Sequence, residues 1–393
     1  MQVEQSTGFE DLIQKLRLDF HSHFEGNPRF FRAPGRVNLI GEHTDYNEGL
    51  VMPAAIGFDT WVAAAPSDAA ELAVCSAQQR AKATFPAAET NPRRRGDWTD
   101  YVRGVQVQLE RAGIRSRGVN MLVDGHVPIG AGLSSSAAIE VATAVALLDV
   151  AGSELDSVAI ARLCQRAENE FVGARCGIMD QFTSLHGQRG RAILLDCRSL
   201  EYRPLPLPNG VKLVICNTMV RHSLAAGEYN ARRAECEACV RELSAIDSGI
   251  RALRDVSEDE LPGVAEKVPE PLMRRLRHVV TENARVLRAG KALESGDMKG
   301  LGEFMYESHV SLRDDYQVSC RELDLMVELA DGIPGVIGAR MTGGGFGGCT
   351  INLVERNAVD GFVEEVSKGY QEKMSITPEI YVTEANDGAA RVG

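Results

Sequence analysis

Arg36 stands just before an apolar run (Val37, Leu39, Ile40) that stops at Gly41, and Glu42, His43 and Asp45 follow within four positions. A strand built this way delivers two carboxylates, an imidazole and a guanidinium to one rim of a sheet. Carboxylates accept hydrogen bonds from pairs of hydroxyls, and imidazole donates or accepts. The set suits a small polyhydroxylated ligand, because a site built for hydroxyls rejects analogues that lack them. The same residues would also serve as a polar turn after a strand, with Asp45 and Asn47 bonding the local backbone.

A second group lies in residues 128–138, Pro-Ile-Gly-Ala-Gly-Leu-Ser-Ser-Ser-Ala-Ala. Gly130 and Gly132 allow close backbone approach and left-handed conformations. Ser134–Ser136 then supply the N-cap and first turn of an Ala-rich helix, whose free N–H groups and positive dipole end favour an anion. A serine hydroxyl also suits Mg2+, a hard cation that prefers oxygen. An ordinary Ser-capped buried helix would read the same way. Glu168, on the following helix beside the stripe Ile160, Leu163, Cys164, Ala167 and Phe171, is placed to complete such a site. The loop lacks the Lys-Ser/Thr ending of a Walker A motif, and the chain has no Asp-Phe-Gly or His-Arg-Asp of protein kinases.

Two further segments complete the candidates. Gly177-Ile-Met-Asp180 puts an aspartate in the first turn of a helix, where the dipole stabilises negative charge. Thr342-Gly-Gly-Gly-Phe-Gly-Gly-Cys349 satisfies G-x-G-x-x-G, yet a strand-like Thr-Ile-Asn-Leu-Val follows it. A dinucleotide fingerprint must open a helix, so a backbone hairpin closing over a ligand, or a tight turn, fits instead.

The elements that position these residues alternate between periods of two and 3.6. Residues 57–65, 71–75, 117–127, 211–216 and 379–383 read as strands. Residues 98–112, 134–150, 156–172, 227–245, 272–294 and 297–331 read as helical, and 335–354 as strand, glycine loop, strand. Pro204, Pro206 and Pro208 lead to Asn209-Gly210, which marks a boundary. The expected organisation is α+β with two domains, residues 1–208 and 209–393, because 393 residues exceed what one core comfortably serves.

Composition excludes several classes. Apolar residues make up 44% and charged residues 25%, the balance of an ordinary globular protein. A net charge of −12 argues against nucleic acid as a partner, since phosphate backbones demand a basic face. Arg93–Arg95 and Arg274, Arg275 and Arg277 read as solvated faces. The most apolar segment, residues 137–150, is interrupted by Glu140 and Asp149 and reads as a buried helix, so no membrane association is expected. The N-terminus lacks a signal-peptide pattern. Nine scattered cysteines, an odd number, fit a reducing cytoplasm. Cys236-x-x-Cys239 lies in a helical stretch with no second pair near it, which disfavours zinc.

Taken together, three segments resemble the GHMP kinases and, within them, the galactokinase family. Residues 35–46 are similar to that family's sugar signature, 128–138 to its phosphate loop, and 341–349 to its C-terminal glycine loop. They occur in the family's order and span nearly the whole chain. The resemblance implies an N-terminal ribosomal-S5-like α/β domain and a C-terminal ferredoxin-like α/β domain with the site between them. It implies ATP as cosubstrate, Mg2+, and D-galactose phosphorylated at its C1 hydroxyl by a cytoplasmic enzyme, expected as a monomer. Position by position, Asp180 resembles the catalytic base and Arg36 the transition-state stabiliser. Glu42, His43, Asp45, Gly177 and Tyr229 resemble sugar-binding positions. Gly130, Ala131, Gly132, Leu133, Ser134, Ser135 and Ser136 resemble the ATP loop, and Ser136 and Glu168 the Mg2+ ligands. Trp98 and Tyr101 are candidates for the adenine pocket.

Two alternatives stay open. N-acetylgalactosamine kinases resemble the same motifs, although His43-Thr44-Asp45 and Asn47-Glu48-Gly49 look closer to galactose-specific members. Some relatives are galactose- and ATP-binding sensors without turnover whose phosphate loop is shortened after its serines. Here residues 134–138 are complete, which favours catalysis.

Overall fold

A computed structural model of the chain describes residues 8–87, 89, 92–115, 117–221 and 225–393. The strands are β1 (Arg29–Asn38), β2 (Leu50–Val51), β3 (Pro53–Ser67), β4 (Glu71–Ser76), β5 (Lys82–Pro86), β6 (Gly118–Gly125), β7 (Arg191–Asp196), β8 (Tyr202–Pro206), β9 (Val211–Arg221), β10 (Val336–Thr342), β11 (Gly347–Glu355), β12 (Glu379–Thr383) and β13 (Ala390–Val392). The helices are α1 (Phe9–His21), α2 (Thr99–Arg111), α3 (Ser135–Ala151), α4 (Ser157–Arg166), α5 (Met179–His186), α6 (Ala225–Ile246), α7 (Leu261–Ala265), α8 (Leu272–Ser295), α9 (Met298–Ser311), α10 (Arg321–Ala330) and α11 (Val359–Met374). The chain is α+β.

A six-stranded sheet runs in the order β13-β1-β3-β6-β4-β5, antiparallel except for the parallel β4–β6 pair. Strand alternation sends neighbouring side chains to opposite faces. Phe31, Val62, Ala64 and Met121 therefore meet Val102, Val105, Ile139 and Leu163 of α2, α3 and α4. Phe30, Trp61, Ala63 and Leu122 instead meet Leu16 and Phe20 of α1. A four-stranded antiparallel sheet, β10-β11-β9-β12, covers one face with α10 and α11 through Phe362, Val366 and Tyr370. Its other face, with Leu213, Ile215, Ile351 and Leu353, shares one core with Val37, Leu39, Met52 and Ala54. That shared core locks the two sheets together around β1. The last strand, β13, returns to pair with β1.

Several expected elements differ in detail. The helix expected over 156–172 is α-helical only to Arg166 and widens into a π-helical turn over Ala167–Val172. Such turns are frequent at functional sites, and this one carries Glu168. The stretch 297–331 is interrupted, because Gln317 takes a left-handed conformation (φ 58°) between α9 and α10. Arg275 is not a surface residue of α8. It is buried, with Nε bonded to Glu235 at 2.6 Å and Nη1 to the Asp315 carbonyl at 2.6 Å. Arg93 and Arg95 remain on an exposed loop.

Candidate active site

Arg36 leaves the end of β1 where the pairing with β3 slips between Pro34 and Arg36. Its Nε donates to Asp180 Oδ1 at 2.8 Å and its Nη2 to Asp180 Oδ2 at 2.9 Å. This is the two-point geometry that makes Arg–carboxylate pairs both strong and directional. Nη1 donates to the Gly132 carbonyl at 2.6 Å, and the Arg36 amide to the Leu133 carbonyl at 3.0 Å. One arginine thus joins the first turn of α5 to the glycine loop.

The loop reaches α3 through left-handed residues at Gly130 (φ 69°), Gly132 (φ 75°) and Ser134 (φ 61°). Ser134 occupies the N-cap position of α3 but makes no capping hydrogen bond. Its hydroxyl donates to Asp180 Oδ2, so the expected cap is replaced by a second anchor on the aspartate. The uncapped N–H groups of α3 stay available to an anion, as helix N-termini are. The second glycine loop is a β10–β11 hairpin turn, with Thr342 paired to Cys349. It backs the first loop, since a Cβ on Gly343 would lie 3.0 Å from the Gly132 carbonyl.

Glu42 and His43 are buried on the loop after β1. Glu42 Oε2 accepts from Arg340 Nη2 at 2.7 Å, and Arg340, wholly buried on β10, also donates to the Asn38 carbonyl at 2.7 Å. Asp45 lies against the backbone of Gly177. A Cβ there would sit 1.9 Å from Asp45 Oδ2, so any side chain at this position would displace the carboxylate. The His43 ring lies 5.6 Å from that of Tyr229 and 4.8 Å from that of Tyr316. His43 Nδ1 bonds the Tyr46 hydroxyl at 2.7 Å, which bonds the Tyr316 hydroxyl at 2.7 Å.

Burial and like charge dominate the electrostatics. Asp45 is pushed up to about 7 by desolvation and then by the charges of Asp180 and Glu42. Glu168 is also pushed up to about 7, by desolvation and then Asp180, against hydrogen bonds from Ser136, Cys176 and Gln181. His43 is driven down to about 3, chiefly by burial, and is a neutral imidazole at pH 7. Glu42 is raised by burial despite the opposing charges of Arg340 and Arg36. The Ser136 hydroxyl and the Glu168 carboxylate form a hard oxygen pair with a surplus of negative charge around it. Among the described residues no cage of three or more His, Cys, Asp or Glu side chains is assembled. The oxygen pair fits Mg2+, which is held by one or two protein oxygens and takes the rest from phosphate and water.

A cavity of about 590 Å³ unites these groups, lined by Arg36, Glu42, His43, Asp45, Asp180 and Tyr229 and by residues of the glycine loop. Trp98, Tyr101, Thr60, Ser76, Gln78 and Gln79 also line it. All the expected site residues border this cavity except Glu168, Ala131 and Gly177. Glu168 is tied in through Ser136, Ala131 is buried within the loop, and Gly177 supports Asp45. Cys236 and Cys239 are buried free thiols on α6. Sequence reasoning missed Arg340, Tyr316, Glu140 and Gln181. The first left a legible mark: a lone arginine inside the strand run Val-Ile-Gly-Ala-Arg-Met-Thr.

Residues 18–66 match the galactokinase galactose-binding signature, residues 100–188 the N-terminal domain of GHMP kinases, and residues 290–372 their C-terminal domain. The chain is 47% identical over 384 residues to a galactokinase of Roseiflexus sp. (strain RS-1), covering 96% of this chain and 97% of that protein. The chain belongs to the galactokinase family. A galactokinase of Chloroflexus aggregans is 46% identical over 381 residues, 97% of this chain and 98% of that one. The crystal structure of Lactococcus lactis galactokinase complexed with galactose superposes with a TM-score of 0.94 at 34% identity, covering 97% of this chain and 100% of that chain. Methanococcus jannaschii mevalonate kinase shares the fold, with a TM-score of 0.64 at 18% identity, over 93% of this chain and 100% of that one. Within the galactokinase signature fall Arg36, Glu42, His43 and Asp45, whereas Tyr229 lies outside all three matched regions. No described helix is long and apolar enough to cross a membrane.

Proposed function

We propose that this chain transfers the γ-phosphoryl group of ATP to the C1 hydroxyl of D-galactose, giving galactose 1-phosphate and ADP. The observation that carries this reading is the two-point Arg36–Asp180 pair set against the glycine loop at the tip of α3. Phosphoryl transfer depends on in-line positioning and on stabilising charge at the phosphoryl oxygens. Asp180 accepts the C1 hydroxyl proton, and Arg36 holds Asp180 in place and faces the developing charge. The amides of residues 130–136 cradle the β- and γ-phosphates. Glu42 and Asp45 accept from sugar hydroxyls, and His43 and Tyr229 close the sugar end, with Gly177 leaving room. Ser136 and Glu168 would hold Mg2+, which neutralises phosphate charge when bound. Trp98 and Tyr101 flank the base of the nucleotide.

The domain division between residues 208 and 209 belongs to the same reading, with the β8–β9 connection as its boundary. A monomeric state belongs to the same reading. A cytoplasmic location accords with nine free cysteines. The test is ADP release measured across a panel of free hexoses and N-acetylgalactosamine. Galactose is expected to be turned over fastest; N-acetylgalactosamine turned over as fast would favour the amino-sugar kinase, and binding without turnover would favour the sensor.

A further inference from the structure

Glu140 is wholly buried on α3 and has no part in the chemistry above. It sits four residues beyond Ser136, on the same helix, and faces Glu168 of the π-helical turn. Between the two carboxyl groups lies the side-chain amide of Gln181, itself wholly buried. Gln181 Nε2 donates to Glu140 Oε2 at 3.0 Å and to Glu168 Oε2 at 2.7 Å. The shorter bond goes to the carboxylate that Ser136 also contacts. The remaining Oε1 atoms of Glu140 and Gln181 are buried without a partner among the described residues. The amide nitrogen is therefore what ties Gln181 to the site, and a leucine would fill the same space without that tie. Gln181 also follows Asp180 directly in the first turn of α5.

We propose that Gln181 is a positioning residue: its amide, braced by the buried Glu140, fixes the Glu168 carboxylate beside Ser136. This rests on the reading of Ser136 and Glu168 as the oxygens that hold Mg2+. One short helix then sets two geometries at once, the base through Asp180 and the oxygen pair through Gln181. Groups that orient a ligand in this way typically contribute about 10- to 100-fold to metal affinity.

The experiment uses the full chain with Mn2+ as the probe, its free fraction followed by EPR in the presence of ADP. Gln181→Leu and Gln181→Asn are compared with wild type and with Glu168→Gln, each first shown to be folded by thermal unfolding. Metal-free ADP binding and galactose binding are measured in parallel by calorimetry. Both Gln181 variants are expected to weaken Mn2+ uptake by about 10- to 100-fold while the two metal-free affinities stay at wild-type values. Wild-type uptake in folded Gln181→Asn, with loss in Glu168→Gln, overturns the positioning role alone. Wild-type uptake in Glu168→Gln overturns the metal assignment and the proposal with it. An equal loss of metal-free ADP binding would mark Gln181 as a packing residue and also overturn it.

Discussion

Arg36 and Asp180 are separated by 144 residues and meet through two hydrogen bonds, Nε–Oδ1 at 2.8 Å and Nη2–Oδ2 at 2.9 Å. The third guanidinium nitrogen grips the Gly132 carbonyl. Asp180, Arg36 and the glycine loop are therefore joined in one hydrogen-bonded unit. Removing a single preorganised electrostatic donor of this kind costs about 100- to 1,000-fold in kcat. Arg36→Ala is expected to lose at least that much, and Asp180→Ala to be nearly inactive, in a coupled assay for ADP. Near-normal kcat in folded Asp180→Ala would remove the base assignment.

Gly177 gives a test of the sugar end alone. A methyl group there collides with Asp45 Oδ2 and forces the carboxylate away. Misplacement by about 1 Å costs on the order of 100-fold. Gly177→Ala should lose about that factor in kcat/KM for galactose while the KM for ATP stays near wild type. Equal damage to both substrates would place Gly177 in general packing instead.

The raised carboxyls make stability and sugar binding respond oppositely to pH. Asp45 and Glu168 titrate near 7 in the folded chain, against ordinary values of 3.8 and 4.5. Between about pH 4 and 7 the folded state therefore binds more protons than the unfolded state, and stability falls as pH rises through that window. Their stabilising contribution is complete below about pH 4 and lost above 7. Under the proposed role of Asp45 as an acceptor for sugar hydroxyls, galactose affinity should follow the opposite course, since only the ionised carboxylate accepts without donating. Thermal unfolding of the ligand-free protein should show Asp45→Asn stabilised relative to wild type at pH 8, with the difference shrinking toward pH 5. A constant difference across that range would contradict the assignment.

Arg340 and Glu42 form a buried pair at 2.7 Å across 298 residues. Removing one member of such a pair typically costs about 3–5 kcal/mol, because the other charge is left uncompensated. Arg340→Met should show a loss of that order in urea unfolding. The double variant Arg340→Met/Glu42→Gln should recover much of it, although galactose affinity stays impaired. Additive losses in the double variant would show that the two side chains act independently.

How much of this was legible in the sequence depends on the range over which each residue finds its partner. Arg36, Glu42, His43 and Asp45 are close in sequence and lie at the end of one strand, so local pattern was enough to group them. Asp180 stood at a helix start, a position aspartate often takes for capping alone, so its role came from the family resemblance and not from local pattern. Strands β3, β4, β6, β9, β10, β11 and β12 were legible as apolar or alternating runs, whereas the short or Pro-punctuated β5, β7, β8 and β13 were not read as strands. Glu140 was invisible as a site residue because a single carboxylate in an Ala-rich run reads as an interruption of an apolar helix; only Gln181 and Glu168, from other elements, give it a purpose. Arg275 was misread because arginines at near-helical spacing usually face water, and its partner Glu235 comes from α6. Ser134 kept its expected position but not its expected bond, since Asp180 competes for the hydroxyl and wins. Helix α1, with Leu16 and Phe20 one turn apart, carried a readable stripe that was not drawn from the sequence.

The most direct test of the central claim is the identity of the product when galactose and ATP are supplied together. Phosphorus and carbon NMR of the reaction mixture should show phosphate on the anomeric carbon, formed by wild type and absent with Asp180→Asn. Phosphate on any other carbon, or undiminished product from Asp180→Asn, would contradict the account.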